Sequence, residues 1–143
     1  MRALPPPGSE SNLTNNIIRA AHVVHRRVGP GYPETVYLRE MAWELEMRSY
    51  GVHSRFPVDV WNGSSLQSLF FVDMFVEGQV IVEIEASGQP LADIYRGQVS
   101  GYLQVTGAQT GLLLNFGRRY LEYMRVYPAD RPASQHTGRE ALS

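Results

Sequence analysis

The sequence predicts an α/β or α+β domain in which helices pack on a β-sheet. The main observation is the order of the hydrophobic periodicities along the chain, which is helix, helix, three strands, helix and two strands. The length of 143 residues suits one packed core. A content of 43% hydrophobic and 19% charged residues is typical of a globular protein.

Three segments have the apolar spacing of amphipathic helices. Residues 12–28 form the first, because apolar side chains recur every three or four positions. Residues 29–33 contain two glycines and two prolines and must break this helix. We expect the second helix at 34–50, followed by Gly51 as its C′ residue, and the third at 91–105.

Five segments are apolar and β-prone enough to predict strands. Asn62-Gly63 is a hairpin signal between the first two, and Glu77-Gly78 is a turn between the second and third. The fourth segment has the uninterrupted apolar character of a buried strand. The predicted strands span residues 53–60, 66–76, 80–86, 111–116 and 120–127.

Composition excludes several classes of protein. The absence of cysteine excludes disulfide scaffolds, thiolate metal sites and cysteine nucleophiles. No apolar run reaches the length of a membrane span and the N-terminus lacks a secretory pattern, so we expect a soluble, cytoplasmic protein. Residues 1–11 and 128–143 are polar and rich in breakers, and we interpret them as flexible tails around a domain at 12–127.

Carboxylates interrupt the apolar strands. Asp73 lies among phenylalanines with no polar face in its strand, and Glu83 and Glu85 lie side by side on the next strand. Burying a carboxylate without a partner is costly, and the chain has no lysine, since all 13 basic residues are arginines. A divalent cation would compensate these acids. The alternative, that the two glutamates lie on a solvent-facing edge and pair with arginines, stays open.

The connection between the second and third strands tests this interpretation. A two-residue turn at Glu77-Gly78 would place Asp73 opposite Val82. A three-residue connection that includes Gln79, or an equivalent bulge, would place Asp73 opposite Glu83. A shared metal site therefore predicts the longer connection.

Two spaced motifs resemble a known family. Asp73 followed ten residues later by Glu83-Ile84-Glu85 resembles the PD-(D/E)XK nuclease signature. Gly31-x-x-Glu34-x-x-Tyr37 resembles the motif that names the bacterial GxxExxY proteins. The resemblance covers residues 12–127. It is supported by the segments Ala20-Ala21-His22-Val23-Val24-His25, Val28-Gly29-Pro30-Gly31, Ile81-Val82-Glu83 and Gly111-Leu112-Leu113-Leu114-Asn115-Phe116.

This resemblance implies a restriction-endonuclease-like core, a small mixed sheet flanked by helices, and a metal-dependent phosphodiesterase. It implies that Asp73 and Glu83 bind Mg²⁺ or Mn²⁺ and that Glu34 supplies an additional acid. Gln98-x-x-x-Tyr102 resembles an element of RecB-like nucleases that would contact phosphate or order the site. The implied partner is nucleic acid, DNA ahead of RNA, with no membrane; a homodimer is left open.

The sequence departs from the family pattern at Glu85, where the family has lysine. Glutamate cannot supply positive charge, but Glu85 would be able to act as the general base that takes a proton from water. The opposite outcome is a catalytically degenerate module that only binds nucleic acid or protein. Alternatives also exist residue by residue: Glu34 would complement a helix dipole, and Gln98 and Tyr102 would be ordinary helix residues.

Overall fold

The structure, a computed structural model, describes residues 9–128, and the side chains of 12–128 apart from 62, 67 and 68. The predicted order of three helices and five strands is confirmed. Residues 9–11, which the sequence predicted as part of a flexible tail, belong to the first helix, and the parts of the predicted tails at 1–8 and 129–143 lie outside the described residues. The elements are α1 (Ser9–Val28), α2 (Glu34–Met47), β1 (Val52–Asn62), β2 (Ser65–Val76), β3 (Val80–Glu85), α3 (Asp93–Thr106), β4 (Thr110–Asn115) and β5 (Glu122–Val126).

The five strands form one mixed sheet in the order β1-β2-β3-β4-β5. β3 and β4 are parallel, and the other neighbours are antiparallel. The parallel pair requires a crossover, which α3 provides. Helices α1 and α2 pack on one face of the sheet, and α3 packs on the other. None of the helices within residues 9–128 is long and apolar enough to cross a lipid bilayer.

Helix α2 ends earlier than the glycine signal predicted. Ser49, and not Gly51, is the residue with left-handed backbone, with a φ of 70°. The Tyr50 N–H donates to the Leu45 carbonyl, and the Ser49 N–H donates to the Glu46 carbonyl. These two bonds form a Schellman cap. They satisfy the last carbonyls two residues before the glycine is reached.

The connection between β2 and β3 has three residues, as the metal-site hypothesis requires. The last pair of the ladder is Val76 with Val80, which leaves Glu77, Gly78 and Gln79 in the loop. Glu77 and Gly78 both have positive φ, and the Gln79 N–H donates to the Val76 carbonyl at 3.0 Å. This is a tight turn plus one additional residue, Gln79, which sets the register of the two strands.

The face that β1 and β2 present to the core changes partway along the hairpin. On β2, Met74 packs in the α1–α2 core, whereas Val72 packs in the α3 core. Strict alternation along the strand would keep Val72 and Met74 on one face, but the structure places them on opposite faces. The change coincides with Arg55 on β1, whose φ of 55° is left-handed, which costs a residue with a Cβ about 1–2 kcal/mol.

Helix α3 approaches β4 closely at Gly111. A Cβ atom added to Gly111 would lie 2.5 Å from Cγ1 of Val99 and 3.6 Å from the Leu103 methyl groups. The absence of a side chain at this position therefore fixes the distance between α3 and the sheet. Because Gln98 and Tyr102 lie on the same helix, this contact also positions them.

We predict that Gly111→Ala lowers the free energy of unfolding by about 1–3 kcal/mol, because the new methyl group overpacks the interface. Gly101→Ala is the matched control, since a Cβ at Gly101 on the exposed side of α3 meets no atom within 4 Å. The control should raise the free energy by about 0.5–1 kcal/mol. Urea unfolding of both variants measures the difference, and equal effects would contradict this account of the packing.

Candidate functional site

Asp73 and Glu83 lie where β2 separates from β3. The regular ladder ends at the pair Met74 and Val82, and Asp73 and Glu83 come next in the register. The Asp73 N–H donates to Oε2 of Glu83 at 2.6 Å, and the Ile84 N–H donates to Oδ2 of Asp73 at 2.7 Å. Each carboxylate thus accepts a backbone N–H of the opposite strand. Without them these N–H groups would lose their partners where the strands part.

Glu85 and Glu34 extend this pair into a cluster of four carboxyl groups. Glu85 follows Glu83 by two residues on β3, and Glu34 is the first residue of α2. The side chains of Glu34 and Glu85 are close enough to share a hydrogen bond when one of them is protonated, and the charge of Glu34 also acts on Asp73 and Glu83. All four predicted acids are therefore neighbours, although they come from three different elements.

The cluster favours the protonated forms of Asp73, Glu83 and Glu85. Burial, followed by the charge of Asp73, raises the pKa of Glu83 to about 8. Burial, followed by the charge of Glu34, raises the pKa of Glu85 to about 7. The pKa of Asp73 is also raised, mainly by burial, although the Ile84 N–H partly opposes the change. Within the described residues, no basic side chain contributes to these shifts.

Helix α3 brings Gln98 and Tyr102 to the same site. The two residues are four apart, and the Gln98 side chain hydrogen-bonds to the Tyr102 hydroxyl. Burial and the charge of Glu83 raise the pKa of Tyr102, so its hydroxyl keeps its proton at neutral pH. The structure therefore brings together all six residues that the sequence singled out. Their catalytic and metal-binding roles stay predictions.

Tyr37 fixes the loop that places Glu34. Its ring stacks on Phe116 with centroids 4.8 Å apart, and its hydroxyl donates to the Gly29 carbonyl at 2.6 Å. The same hydroxyl accepts the Tyr32 N–H at 3.2 Å. The tyrosine of the Gly-x-x-Glu-x-x-Tyr motif thus has a structural role, because it ties down the loop from which α2 starts.

Asn115 is a supporting residue that sequence reasoning missed. It is fully buried at the end of β4, and its Oδ1 accepts the N–H groups of Ser87 and Gly117. Its Nδ2 donates to the Ser87 and Gln89 carbonyls and to Glu122. Asn115 therefore anchors the segment that leaves β3 directly after Glu85. The sequence contained one indication of this role: Asn115 follows three leucines, and a buried amide needs hydrogen-bond partners.

The chemistry of these donors suits a hard divalent cation, but their present arrangement does not enclose one. Among the residues that the structure describes, no three carboxylate or imidazole groups converge as a metal site. The reason is visible in the cluster: one oxygen each of Asp73 and Glu83 is directed to a backbone N–H. The second oxygen of each carboxylate accepts neither of these bonds. The donor set of four carboxyl groups therefore suits a divalent cation, which prefers oxygen ligands.

A mixed five-stranded sheet flanked by helices, with paired acids where two central strands part, defines a restriction-endonuclease-like protein. A family model described as the PD-(D/E)XK nuclease superfamily matches residues 11–126, and the chain belongs to that superfamily. The narrower likeness to GxxExxY proteins stays a prediction.

A solved structure, the crystal structure of SSO0001, is similar in fold, with a TM-score of 0.56 and 14% identity. The match covers 70% of this chain and 52% of that protein, so the chain spans about half of its length. At this identity the likeness supports the fold alone. No curated protein matches the chain significantly.

We predict that the metal-free protein becomes less stable as the pH rises from about 4.5 to about 8. In the folded state Glu83 keeps its proton up to about pH 8, whereas in the unfolded chain it loses the proton near its ordinary pKa of 4.5. The folded state therefore binds more protons in this range, and the free energy of unfolding falls with rising pH. Thermal unfolding in the presence of a chelator measures this dependence.

Glu83→Gln should flatten this dependence, because glutamine can still accept the Asp73 N–H but does not titrate. Glu46→Gln, on the exposed side of α2, is the control and should keep the slope of the unaltered protein. An unchanged slope in Glu83→Gln would contradict the prediction.

We predict that Tyr37→Phe lowers the free energy of unfolding by about 1 kcal/mol, because the Gly29 carbonyl and the Tyr32 N–H lose the hydroxyl as their partner while the ring stack remains. Amide hydrogen exchange should become faster at Tyr32, whose N–H loses its acceptor. Tyr127→Phe is the control, since Tyr127 is exposed. If both variants behave alike in urea unfolding and exchange, Tyr37 does not hold the loop.

Proposed function

We propose that this protein is a divalent-metal-dependent nuclease that hydrolyses phosphodiester bonds of nucleic acid. The observation that carries the proposal is the pair of carboxylates at the point where β2 separates from β3. Glu83 accepts the Asp73 N–H there, and Asp73 accepts the Ile84 N–H. Membership of the nuclease superfamily supports the same reaction class. The proposed cofactor is Mg²⁺ or Mn²⁺.

Asp73, Glu83 and Glu34 are the proposed metal ligands. Burial and neighbouring negative charges raise the pKa of Asp73 and of Glu83, and the charge of Glu34 acts on both. Hard cations prefer oxygen donors of this kind. The bound ion would supply Lewis acidity toward the phosphate and a more acidic water. Asp73 and Glu83 are held in register by two strands, which gives them fixed positions relative to each other.

Glu85 is the proposed general base. Its pKa of about 7 means that its carboxylate can accept a proton and release it again near neutral pH. It is less buried than Glu83, so water has access to it. Arginine would be a poor replacement in this role, because it stays protonated, and the chain has no lysine.

Gln98 and Tyr102 are proposed to order the site next to the metal ligands. Their hydrogen bond holds the Tyr102 hydroxyl near Asp73 and Glu83, whose charges act on it. A protonated phenol and an amide are both donors suited to a phosphate oxygen. The close packing of α3 at Gly111 keeps this pair in place.

The finer features of the proposal follow the family resemblance. We propose DNA rather than RNA as the substrate and a cytoplasmic location, and we keep a homodimer as the assembly that would supply more surface for base contacts. A net charge of −1 gives no broad electrostatic attraction to a polyanion, so contacts near the site must provide the binding energy.

A non-catalytic module for binding nucleic acid or protein is the second candidate. Two observations favour it: Glu85 stands in place of the family's lysine, and the carboxylates of the described residues do not enclose a metal site. The nuclease needs Asp73 to bind the metal and Glu85 to accept a proton, whereas the binding module needs neither of these functions.

The deciding experiment is calorimetric titration of Mn²⁺ and Mg²⁺ into the protein and into Asp73→Asn, with cleavage assays on single- and double-stranded DNA and RNA. We expect metal binding that weakens at least about tenfold in Asp73→Asn, because a charged ligand becomes neutral. Glu85→Gln should retain metal and lose about 10²–10⁴-fold in cleavage rate.

Asp59→Asn is the matched control, because Asp59 is an exposed acid on β1 outside the cluster, and it should change neither measurement. Binding without cleavage on any substrate would select the second candidate. The absence of metal binding at millimolar concentration would overturn the nuclease proposal.

A further inference from the structure

The carboxylate cluster creates a need for positive charge, because no basic side chain of the described residues contributes to the pKa values of its acids. The acids Glu34, Asp73, Glu83 and Glu85 interact with one another, and no basic side chain of the described residues acts on them. A phosphodiester brought to this site would add further negative charge. With glutamate at position 85 and no lysine, the cation that meets the substrate must be an arginine or the metal.

Arg55 is the arginine that the sheet places beside this cluster. On either side of it, Ser54 pairs with Met74 and Phe56 pairs with Val72, so Arg55 stands at the register position opposite Asp73. Arg55 and Asp73 are therefore neighbours at the point where the two strands change faces.

The backbone of Arg55 is unusual for its position. It has a φ of 55° inside the eleven-residue strand β1, in the left-handed region that glycine tolerates and arginine does not favour. A glycine would satisfy this conformation with less strain. The presence of a long charged side chain here suggests that the side chain serves a purpose other than folding.

The guanidinium of Arg55 stacks on an aromatic ring and is exposed. Its Cζ lies 4.2 Å from the centroid of the Phe71 ring, and Phe71 precedes Asp73 by two residues on β2. Arg55 is exposed and forms no ion pair with any residue in the described part of the chain. Stacking on a ring leaves the guanidinium N–H donors free for an anion.

Two other arginines already form ion pairs with glutamates. Arg27 forms ion pairs with Glu40 and Glu44, and Arg118 forms one with Glu122. Because these ion pairs neutralise the two guanidinium groups, Arg27 and Arg118 are less suited than Arg55 to bind a phosphate.

We propose that Arg55 binds a phosphate of the nucleic-acid strand next to the carboxylate cluster and supplies the positive charge that the family's lysine would otherwise bring. This inference rests on the proposed function in taking nucleic acid as the substrate. The planar guanidinium suits bidentate recognition of phosphate oxygens. Arg55 binds and positions the substrate, and proton transfer stays with Glu85.

The test measures binding separately from cleavage. A fluorescein-labelled DNA duplex and the corresponding single strand are titrated with protein in Ca²⁺, and fluorescence anisotropy reports the affinity. Arg55→Gln should weaken binding about 10–100-fold, as expected for one charge-assisted contact. The slope of log affinity against log salt should fall by about one unit. Arg55→Lys should recover part of the affinity, because the charge is retained.

Arg26→Gln is the matched control, since Arg26 is an exposed arginine on α1 and its loss changes the net charge equally. It should alter the affinity less than about twofold. Equal losses in the two variants, or none in Arg55→Gln, would overturn the role of Arg55.

Arg55→Gly separates folding from binding. If Arg55 is retained for substrate, glycine should raise the melting temperature by about 3 °C while the affinity for DNA falls as in Arg55→Gln. A lower melting temperature would show that the side chain supports the fold, and would overturn the inference. In Mg²⁺, a KM that rises with little change in kcat is the expected kinetic result.

Failure of the proposed function is distinguishable from failure of this inference. Cleavage by the unaltered protein with normal DNA binding in Arg55→Gln would reject the inference alone. DNA binding that depends on Arg55, without cleavage under any metal, would reject the nuclease proposal and retain the phosphate contact. A protein that neither binds nor cleaves DNA would reject both.

Discussion

Where β2 separates from β3, two backbone N–H groups lose their strand partners, and carboxylates take over as acceptors. Asp73 and Glu83 each receive one such bond from the opposite strand. These bonds hold both carboxyl groups between the two strands, where they are partly buried. Burial there raises the pKa of Asp73 and of Glu83. The divergence of the strands and the acid pair therefore depend on each other, and the remaining site is arranged around them.

Helices on opposite faces of the sheet complete the site from both sides. Tyr37 ties the loop before α2 to the core, and this brings Glu34 to the acids from the α1–α2 face. Gly111 lets α3 lie close to β4, and this brings Tyr102 from the other face. A site built from rigid elements needs such contacts, since small displacements of a helix would separate its side chains from the acids.

The charge of the site is unbalanced in a way that explains its chemistry. In the described residues, four acids interact without a basic partner. Burial first, and the neighbouring negative charges second, raise the pKa of Glu83 to about 8 and that of Glu85 to about 7. Structural ion pairs elsewhere, such as that of Glu44 with Arg48, leave no such deficit. Acids that repel one another in a folded protein reduce its stability, and a bound cation removes that repulsion.

The sequence by itself determined the order of the elements and the residues of the site, because hydrophobic periodicity and the placement of Asp73 and Glu83 in apolar strands are local properties. It left open the length of the β2–β3 connection, and only the structure showed that Gln79 brings the two acids opposite each other. Alternation along the strand would also keep Val72 and Met74 on one face, whereas the structure places them on opposite faces next to the left-handed residue Arg55 of β1. Register and twist arise from pairing between distant segments, and therefore only the tertiary structure decided them.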